Sequence, residues 1–410
     1  MATNLYAKNF LVESSWEVCN QLGGIYTVIR SKLPATVDKW GDNYCLLGPL
    51  VNDEVNIEFD ELSESATALG QTVIKMREMG YEVKYGRWLV TGRPLTILLN
   101  PENAHSRLDA IKKRYHKNHN ISLRNNDGLY DGVLEWGDVC FVFLKVLEQC
   151  LKKQQLIAHF HEWMAATPLL DIAAAKLSIK TIFTTHATML GRVLAMNEEG
   201  FYKKLPTFNA EAEAKKYNVQ ALFEIEREAA KNATVFTTVS EVTALECKQL
   251  LGKNPDVLTP NGLNIARFVA NHEVQVRHER YKKQIEEFVM GHFFHSYSFD
   301  LDNTLYFFTS GRYEYANKGF DVTLAALKML NDRMLKEKIG ITVVMFFITK
   351  ADTWTINPKV LETRALLEEV RKNCEEIQEK LGQRLFYKAA ASHGDYKLPQ
   401  LNDLVDDYWK

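Results

Sequence analysis

The chain has 410 residues, with 50 Lys and Arg against 52 Asp and Glu, so its formal charge is −2. Hydrophobic residues at 46% and charged residues at 25% exclude a disordered chain, and the length suggests roughly two or three domains. The near-balanced charge excludes a nucleic-acid binder that relies on a bulk positive field, and the longest strong apolar run, Val343–Ile348, falls far short of the ~20 residues that cross a bilayer.

Met1–Lys8 has no apolar core of the secretory-signal kind. Six cysteines at 19, 45, 140, 150, 247 and 374 form no C-x-x-C pair, so each reads as a small buried hydrophobe in a reducing cytoplasm. Strands are predicted at Tyr44–Leu47, Leu95–Leu99, Leu156–Phe160, Thr181–Thr185, Val235–Val239 and Val257–Thr259. A second series follows at Leu305–Thr309 and Thr342–Ile348. Helical patterns over Val133–Lys153, Asn218–Asn232, Val242–Leu251 and Asp321–Lys338 alternate with them. β-branched strands, apolar on both faces and separated by helices, describe parallel α/β sheets. The charged helical segment Ala270–Gly291 divides the two series. After Pro358, suited to a first helical position, Val360, Thr363, Leu367, Val370, Cys374, Ile377 and Leu381 follow steps of three and four. That heptad seam reads either as an oligomerisation helix or as an ordinary amphipathic helix.

Four segments could carry chemistry. Gln21-Leu-Gly-Gly-Ile-Tyr-Thr27 precedes a helix, where Gly23 and Gly24 let backbone N–H groups approach an anion. His159-Phe-His-Glu-Trp163 ends an apolar strand, and alternation sets His159 and His161 on one face; with Glu162 they raise the possibility of zinc. His116 and His119 lie in a charged, solvated stretch. Thr184-Thr-His-Ala-Thr-Met-Leu-Gly-Arg192 also follows a strand, so His186 could meet a sugar hydroxyl and Arg192 a phosphate, or His186 could be purely structural. Thr309-Ser-Gly-Arg-Tyr-Glu-Tyr-Ala-Asn-Lys-Gly319 brings Arg312 and Lys318 to a strand end and a helix start, either for one anion or as solvated cations.

Trp16-Glu-Val-x-Asn-x-x-Gly-Gly-Ile-Tyr-Thr-Val28, Trp40-Gly-Asp-Asn-Tyr44, Tyr85-Gly-Arg-Trp88 and His159-Phe-His-Glu-Trp163 closely resemble the glycogen synthases of the animal and fungal type. So do Phe183-Thr-Thr-His-Ala-Thr188, Thr237-Thr-Val-Ser240, Thr259-Pro-Asn-Gly-Leu-Asn264, Phe288-Val-x-Gly-His-Phe293 and Gly311-Arg-Tyr-Glu…Asn-Lys-Gly319. The resemblance extends over residues 10 to 350. Plant and common bacterial synthases carry a Lys-x-Gly-Gly-Leu loop instead; Asn20-Gln-Leu-Gly-Gly-Ile25 lacks that lysine.

The resemblance implies an α/β chain of two Rossmann-like domains facing a cleft, the GT-B glycosyltransferase architecture. Residues 1–280 would form the acceptor-side domain and 281–410 a partial nucleotide-sugar domain with a helical insertion at 358–381. It implies cytoplasmic transfer of glucose from UDP-glucose to the non-reducing 4-OH of an α-1,4-glucan such as glycogen, with retention. It further implies that no metal cofactor, nucleic acid or membrane is involved. Arg312 and Lys318 would stabilise the leaving UDP, and His186 would hold the glucose with its carbonyl facing the oxocarbenium-like centre. Arg192 and Asn261 would contact the donor sugar and phosphate, Gly23 and Gly24 would approach the diphosphate, Glu162 would line the acceptor side, and His161 would bind substrate. The heptad helix would assemble a tetramer, and a glycogen-priming protein is an expected partner.

The family's acidic Tyr-Glu-Pro-Trp-Gly-Tyr…Glu segment is missing, and Glu368 and Glu376 read as solvated, so this chain is expected to be a catalytically incomplete fragment. Three rivals predict different observations. A sucrose or trehalose-phosphate synthase would prefer other acceptors. A non-catalytic glucan-binding scaffold would bind glucan without donor. A metalloenzyme at His159, His161 and Glu162 would hold stoichiometric zinc.

Overall fold

The computed structural model describes residues 3–51, 58–123, 128–265, 271–294, 297–351, 355, 357–391, 400 and 404. It divides into two compact units, Met1–Arg267 and Phe268–Lys410. The division falls at 267/268 rather than at 280, because one helix, Asn271–Phe293, runs unbroken through position 280 and packs on a later helix of the second unit.

The first unit is built on a nine-stranded sheet. In chain order its strands are β1 (Asn9–Ser14), β2 (Tyr44–Pro49), β3 (Phe59–Glu61), β4 (Val83–Trp88), β5 (Leu95–Leu99), β6 (Gln155–His161), β7 (Lys180–Thr185), β8 (Val235–Thr238) and β9 (Val257–Leu258). Their spatial order is β3-β4-β5-β2-β1-β6-β7-β8-β9. Every pairing from β5 across to β9 is parallel, whereas β3–β4 and β4–β5 are antiparallel. The antiparallel edge is not legible in the sequence because β4 carries Lys84 and Arg87 between buried Val83, Tyr85 and Trp88, and so does not read as a doubly buried apolar run.

Side chains alternate across this sheet. Phe10, Val12, Leu156, Ala158, Phe160, Phe183 and Phe236 enter the larger core. There they join Trp136 and Phe143 of the helix Gly128–Cys150, Leu169 and Leu170 of Glu162–Ala175, and Leu222 and Ile225 of Gln220–Asn232. At about 1.5–3 kcal/mol for each fully buried large apolar side chain, this layer dominates the unit's stability. The opposite face is covered only in part. Ile25, Tyr26, Ile29 and Leu33 of the helix Gly24–Trp40 pack there on Leu46 and Leu98. Toward β6–β9 the same face mixes His159, His161, Thr184 and Thr237 with Ile182, Val235 and Val257.

In the second unit β10 (Thr304–Ser310) pairs in parallel with β11 (Thr342–Ile348), joined through the helix Phe320–Glu337. The heptad helix starts at Pro358 as expected and extends to Ala391, beyond the predicted 381. Along its seam Val360 is buried and Thr363, Leu367, Ile377 and Leu381 are half-buried, while Val370 and Cys374 are exposed. All six cysteines are free thiols; four are buried, Cys150 is half-buried and Cys374 is exposed. No helix among the described residues is long and apolar enough to cross a membrane.

Candidate functional site

The strand register builds the site row by row. Glu13 lies beside His159, His159 beside Ile182, and Ile182 beside Val235. The next row on the same face is His161, Thr184, Thr237 and Val257. Together with His186, Val239 and the 259–263 loop, and with Val28, Ser31 and Lys32 of the helix Gly24–Trp40, these residues line a pocket of about 440 Å³. β1 and β6 are neighbours from which the chain departs in opposite directions, toward β2 on one side and β7 on the other. The pocket therefore sits at a topological switch point outside the carboxyl ends of parallel strands, where open α/β sheets bind ligands.

At its base lies a buried polar chain. Glu13, 1% exposed, accepts hydrogen bonds from Tyr44 Oη at 2.6 Å and His161 Nε2 at 2.6 Å, and pairs with Lys32. His161 Nδ1 is 3.0 Å from His186 Nε2. His159 Nε2 is 2.7 Å from Thr184 Oγ1, which in turn meets Thr237 Oγ1 at 2.5 Å. Burial would raise the Glu13 carboxyl, but Lys32 and the hydrogen bond from His161 hold it well below the usual carboxylate range. Burial keeps the histidines neutral: His159 and His161 are pushed below the ordinary imidazole value, and His186 falls to about 3 with help from His161 and Lys32.

The loop carrying His186 is held by three buried glutamates. Glu162 Oε1 accepts from the backbone N–H of His186 at 2.8 Å and Ala187 at 3.2 Å. Glu226 accepts from Thr185 Oγ1 at 2.6 Å and from the Met189 N–H at 2.8 Å. Glu246 accepts from Thr188 Oγ1 at 2.6 Å and Tyr202 Oη at 2.9 Å. Thr188 also caps the helix Met189–Asn197 through the Gly191 N–H, and a Cβ on Gly191 would come within 2.3 Å of Glu246 Oε2. Burial and the neighbouring Glu162 push Glu226 up to about 8, while burial raises Glu162 against the opposing charge of Arg192.

This geometry redistributes the predicted residues. His161, His186 and Asn261 line the pocket. Glu162 does not: it is 4% exposed, takes the left-handed φ of 65°, and turns its carboxylate to the 186–187 amides instead of a substrate. Arg192 is likewise absent from the lining, and its charge acts on Glu162 and Glu226. The N–H of Gly23, expected to face a diphosphate, is taken by the Glu17 carboxylate at 2.9 Å, which also accepts from the Tyr26 N–H at 2.8 Å. Gly24 is uncrowded, since a Cβ there would meet nothing within 4 Å. In the second unit Arg312 and Lys318 sit on the loop between β10 and the helix Phe320–Glu337. Arg312 is exposed and pairs with Glu314 at 3.0 Å, and the Lys318 stem lies against Gly311.

Among the described residues the group that could ligate a metal is Glu13, His159 and His161, not the His159, His161 and Glu162 set of the metalloenzyme rival. The fit is poor, because the shared Glu13 oxygen already carries both Lys32 and His161 Nε2, and a divalent ion would have to displace an ammonium. His116 is exposed as expected, with Nδ1 3.0 Å from the Ile121 carbonyl, whereas His119 is half-buried and its Nε2 is shielded from solvent. Sequence reasoning missed Glu13, Lys32 and Tyr44. The signal available was a carboxylate inside a strand otherwise buried on both faces, which demands a partner.

The glycogen synthase family model matches residues 13–408. The chain is 38% identical over 397 residues to a glycogen [starch] synthase of Neurospora crassa, covering 97% of this chain and 56% of that protein. It is 38% identical over 396 residues to the liver glycogen [starch] synthase of Rattus norvegicus, again at 97% and 56%. The chain thus spans about half the length of the curated relatives it matches. A solved structure described as trehalose-6-phosphate from E. coli bound with UDP-2-fluoro glucose overlaps it with a TM-score of 0.41 at 12% identity, covering 88% of this chain and 69% of that one.

Proposed function

Because the chain belongs to the glycogen synthase family, we propose that the protein transfers glucose from UDP-glucose to the non-reducing 4-OH of an α-1,4-glucan, with retention, as a cytoplasmic GT-B glycosyltransferase. The observation that carries this reading is the similarity running from residue 13 to residue 408, which takes in every segment around the pocket. The pocket chemistry supports it: neutral imidazoles, threonine hydroxyls and Asn261 suit a polyhydroxylated group, and the cation in the lining, Lys32, is already paired with Glu13.

In this reading His186 and Asn261 contact the donor sugar, with His161 behind His186. Glu162 and Arg192 act on the sugar indirectly, by holding the 185–189 loop. Arg312 and Lys318 supply positive charge to the leaving diphosphate, so that no metal cofactor is required; their place on a strand-to-helix loop supports this, since the N–H groups there favour anions as well. Transfer on one face of the sugar depends on positioning and charge stabilisation rather than on a dedicated base. The half-open seam of the helix Pro358–Ala391 supports homo-oligomerisation, and a glycogen-priming protein is the proposed macromolecular partner.

The test is labelled UDP-glucose offered with glycogen, fructose or glucose 6-phosphate to the protein expressed from its complete gene. Label should enter glycogen. Label in sucrose or trehalose phosphate, or glycogen binding without transfer, would contradict the proposal.

A further inference from the structure

We propose that Glu13 is a positioning residue that acts through His161 to fix His186 as its Nε2–H tautomer, leaving His186 Nδ1 as a hydrogen-bond acceptor for a hydroxyl in the pocket. The chain of contacts is short and buried: Glu13 Oε1 to His161 Nε2 at 2.6 Å, then His161 Nδ1 to His186 Nε2 at 3.0 Å. An ionised carboxylate only accepts hydrogen bonds, so His161 must place its proton on Nε2. In a neutral ring Nδ1 is then an acceptor, and the partner nitrogen of His186 must carry the N–H. One more step around the neutral His186 ring leaves Nδ1 unprotonated. That atom has no hydrogen-bond partner among the described residues, and His186 lines the pocket.

The order of the chain is fixed at its buried end. Glu13 cannot turn away, because Tyr44 holds its other oxygen at 2.6 Å and Lys32 pairs with it. His161 is 3% exposed, which leaves no room for water to supply an alternative partner. A doubly protonated His161 would set a second cation beside the Lys32 ammonium around one carboxylate, an arrangement that burial penalises heavily. Burial likewise keeps both rings neutral.

A consequence follows for ligand class. A phosphate or carboxylate oxygen would face the His186 lone pair and be repelled, whereas a sugar hydroxyl can donate to it. The identity of that hydroxyl's owner as the glucose of UDP-glucose rests on the proposed function; the tautomer order does not.

The experiment is long-range ¹H–¹⁵N correlation NMR on the ¹⁵N-histidine-labelled chain at neutral pH, with His161 and His186 assigned through His161→Gln and His186→Gln. Both rings should show the Nε2–H pattern alone. Glu13→Gln, whose amide can accept or donate, should lose that single pattern at His186 and give a mixture. Tyr44→Phe removes one of the two groups that hold Glu13 but keeps Lys32, the carboxylate and both rings, and should retain the pattern, so the proposal stays decidable if Glu13→Gln fails to fold. An Nδ1–H or doubly protonated His186 in the wild type, loss of the pattern in folded Tyr44→Phe, or an unchanged pattern in folded Glu13→Gln would overturn it. Adding UDP-glucose should shift the His186 Nδ1 resonance. The expected tautomers without that shift would uphold the relay and count against the donor reading alone.

Discussion

Glu162 Oε1 accepts hydrogen bonds from the backbone N–H groups of His186 and Ala187, at 2.8 and 3.2 Å. The acid of the His-Glu-Trp run therefore fixes the loop that presents the pocket histidine. Its left-handed φ of 65° costs of order 1–3 kcal/mol, which the surrounding structure, including those two bonds, must offset.

Glu162→Ala should leave both half-buried N–H groups without their partner and destabilise the protein by about 2–6 kcal/mol, at ~1–3 kcal/mol for each orphaned group. Glu162→Gln keeps one acceptor oxygen and should cost about 1 kcal/mol. Urea unfolding followed by tryptophan fluorescence measures both. Equal, small losses would mean that the carboxylate does not support the loop.

The pair Glu162 and Glu226 predicts a pH signature. With Glu226 pushed up to about 8 in the folded protein, the folded state keeps a proton that the unfolded chain releases near its ordinary value of 4.5. Between those values this group's contribution falls as pH rises. The buried neutral histidines act oppositely: below about 6.5 the unfolded chain binds protons that folded His186, at about 3, refuses, so stability also falls on the acid side. Urea midpoints should drop from pH 6.5 to pH 8, and Glu226→Gln should flatten that limb while leaving the acid limb in place. An unchanged alkaline limb in the variant would remove Glu226 as its cause.

Much of this site is legible because strands broadcast their period. Alternation alone puts His159 and His161 on one face, and the structure extends the same alternation to Thr184, His186 and Thr237. The strand ends and the loop positions of His186, Arg312 and Lys318 are also readable from apolar runs meeting helical patterns. Partners distant in sequence are not. Glu13 lies 148 positions from His161, and Thr188 lies 58 from Glu246. No local pattern encodes which acid folds back onto which loop. The same limit explains Glu162, whose neighbours in sequence suggest a substrate contact while its backbone turns it inward.

The heptad seam makes a prediction about assembly. Leu367 is half-buried and Val370 is 49% exposed on a helix of 34 residues. Replacing both with Glu should lower the mass measured by light scattering for the protein expressed from its complete gene, since charge at seam positions opposes helix pairing. An unchanged mass would leave the helix as an element of its own unit.

Arg312 and Lys318 should matter mainly when the bond to the leaving diphosphate breaks. Arg312→Ala or Lys318→Ala should lower kcat for glucosyl transfer by roughly a hundredfold, the scale for removing one preorganised charge-stabilising group. KM for UDP-glucose should rise less. EDTA should leave wild-type activity intact. Near-wild-type kcat in both variants, or activity lost on chelation and restored by metal, would contradict this assignment.

The most direct test of the whole account is incorporation of labelled glucose from UDP-glucose into glycogen, measured for wild type and His186→Ala expressed from the complete gene. The account predicts robust incorporation by the wild type. It also predicts a fall in kcat/KM of about a hundredfold in the variant, as expected when a sugar loses its positioning contact, with UDP affinity largely kept. No incorporation by the wild type, or equal rates for the two proteins, would contradict it.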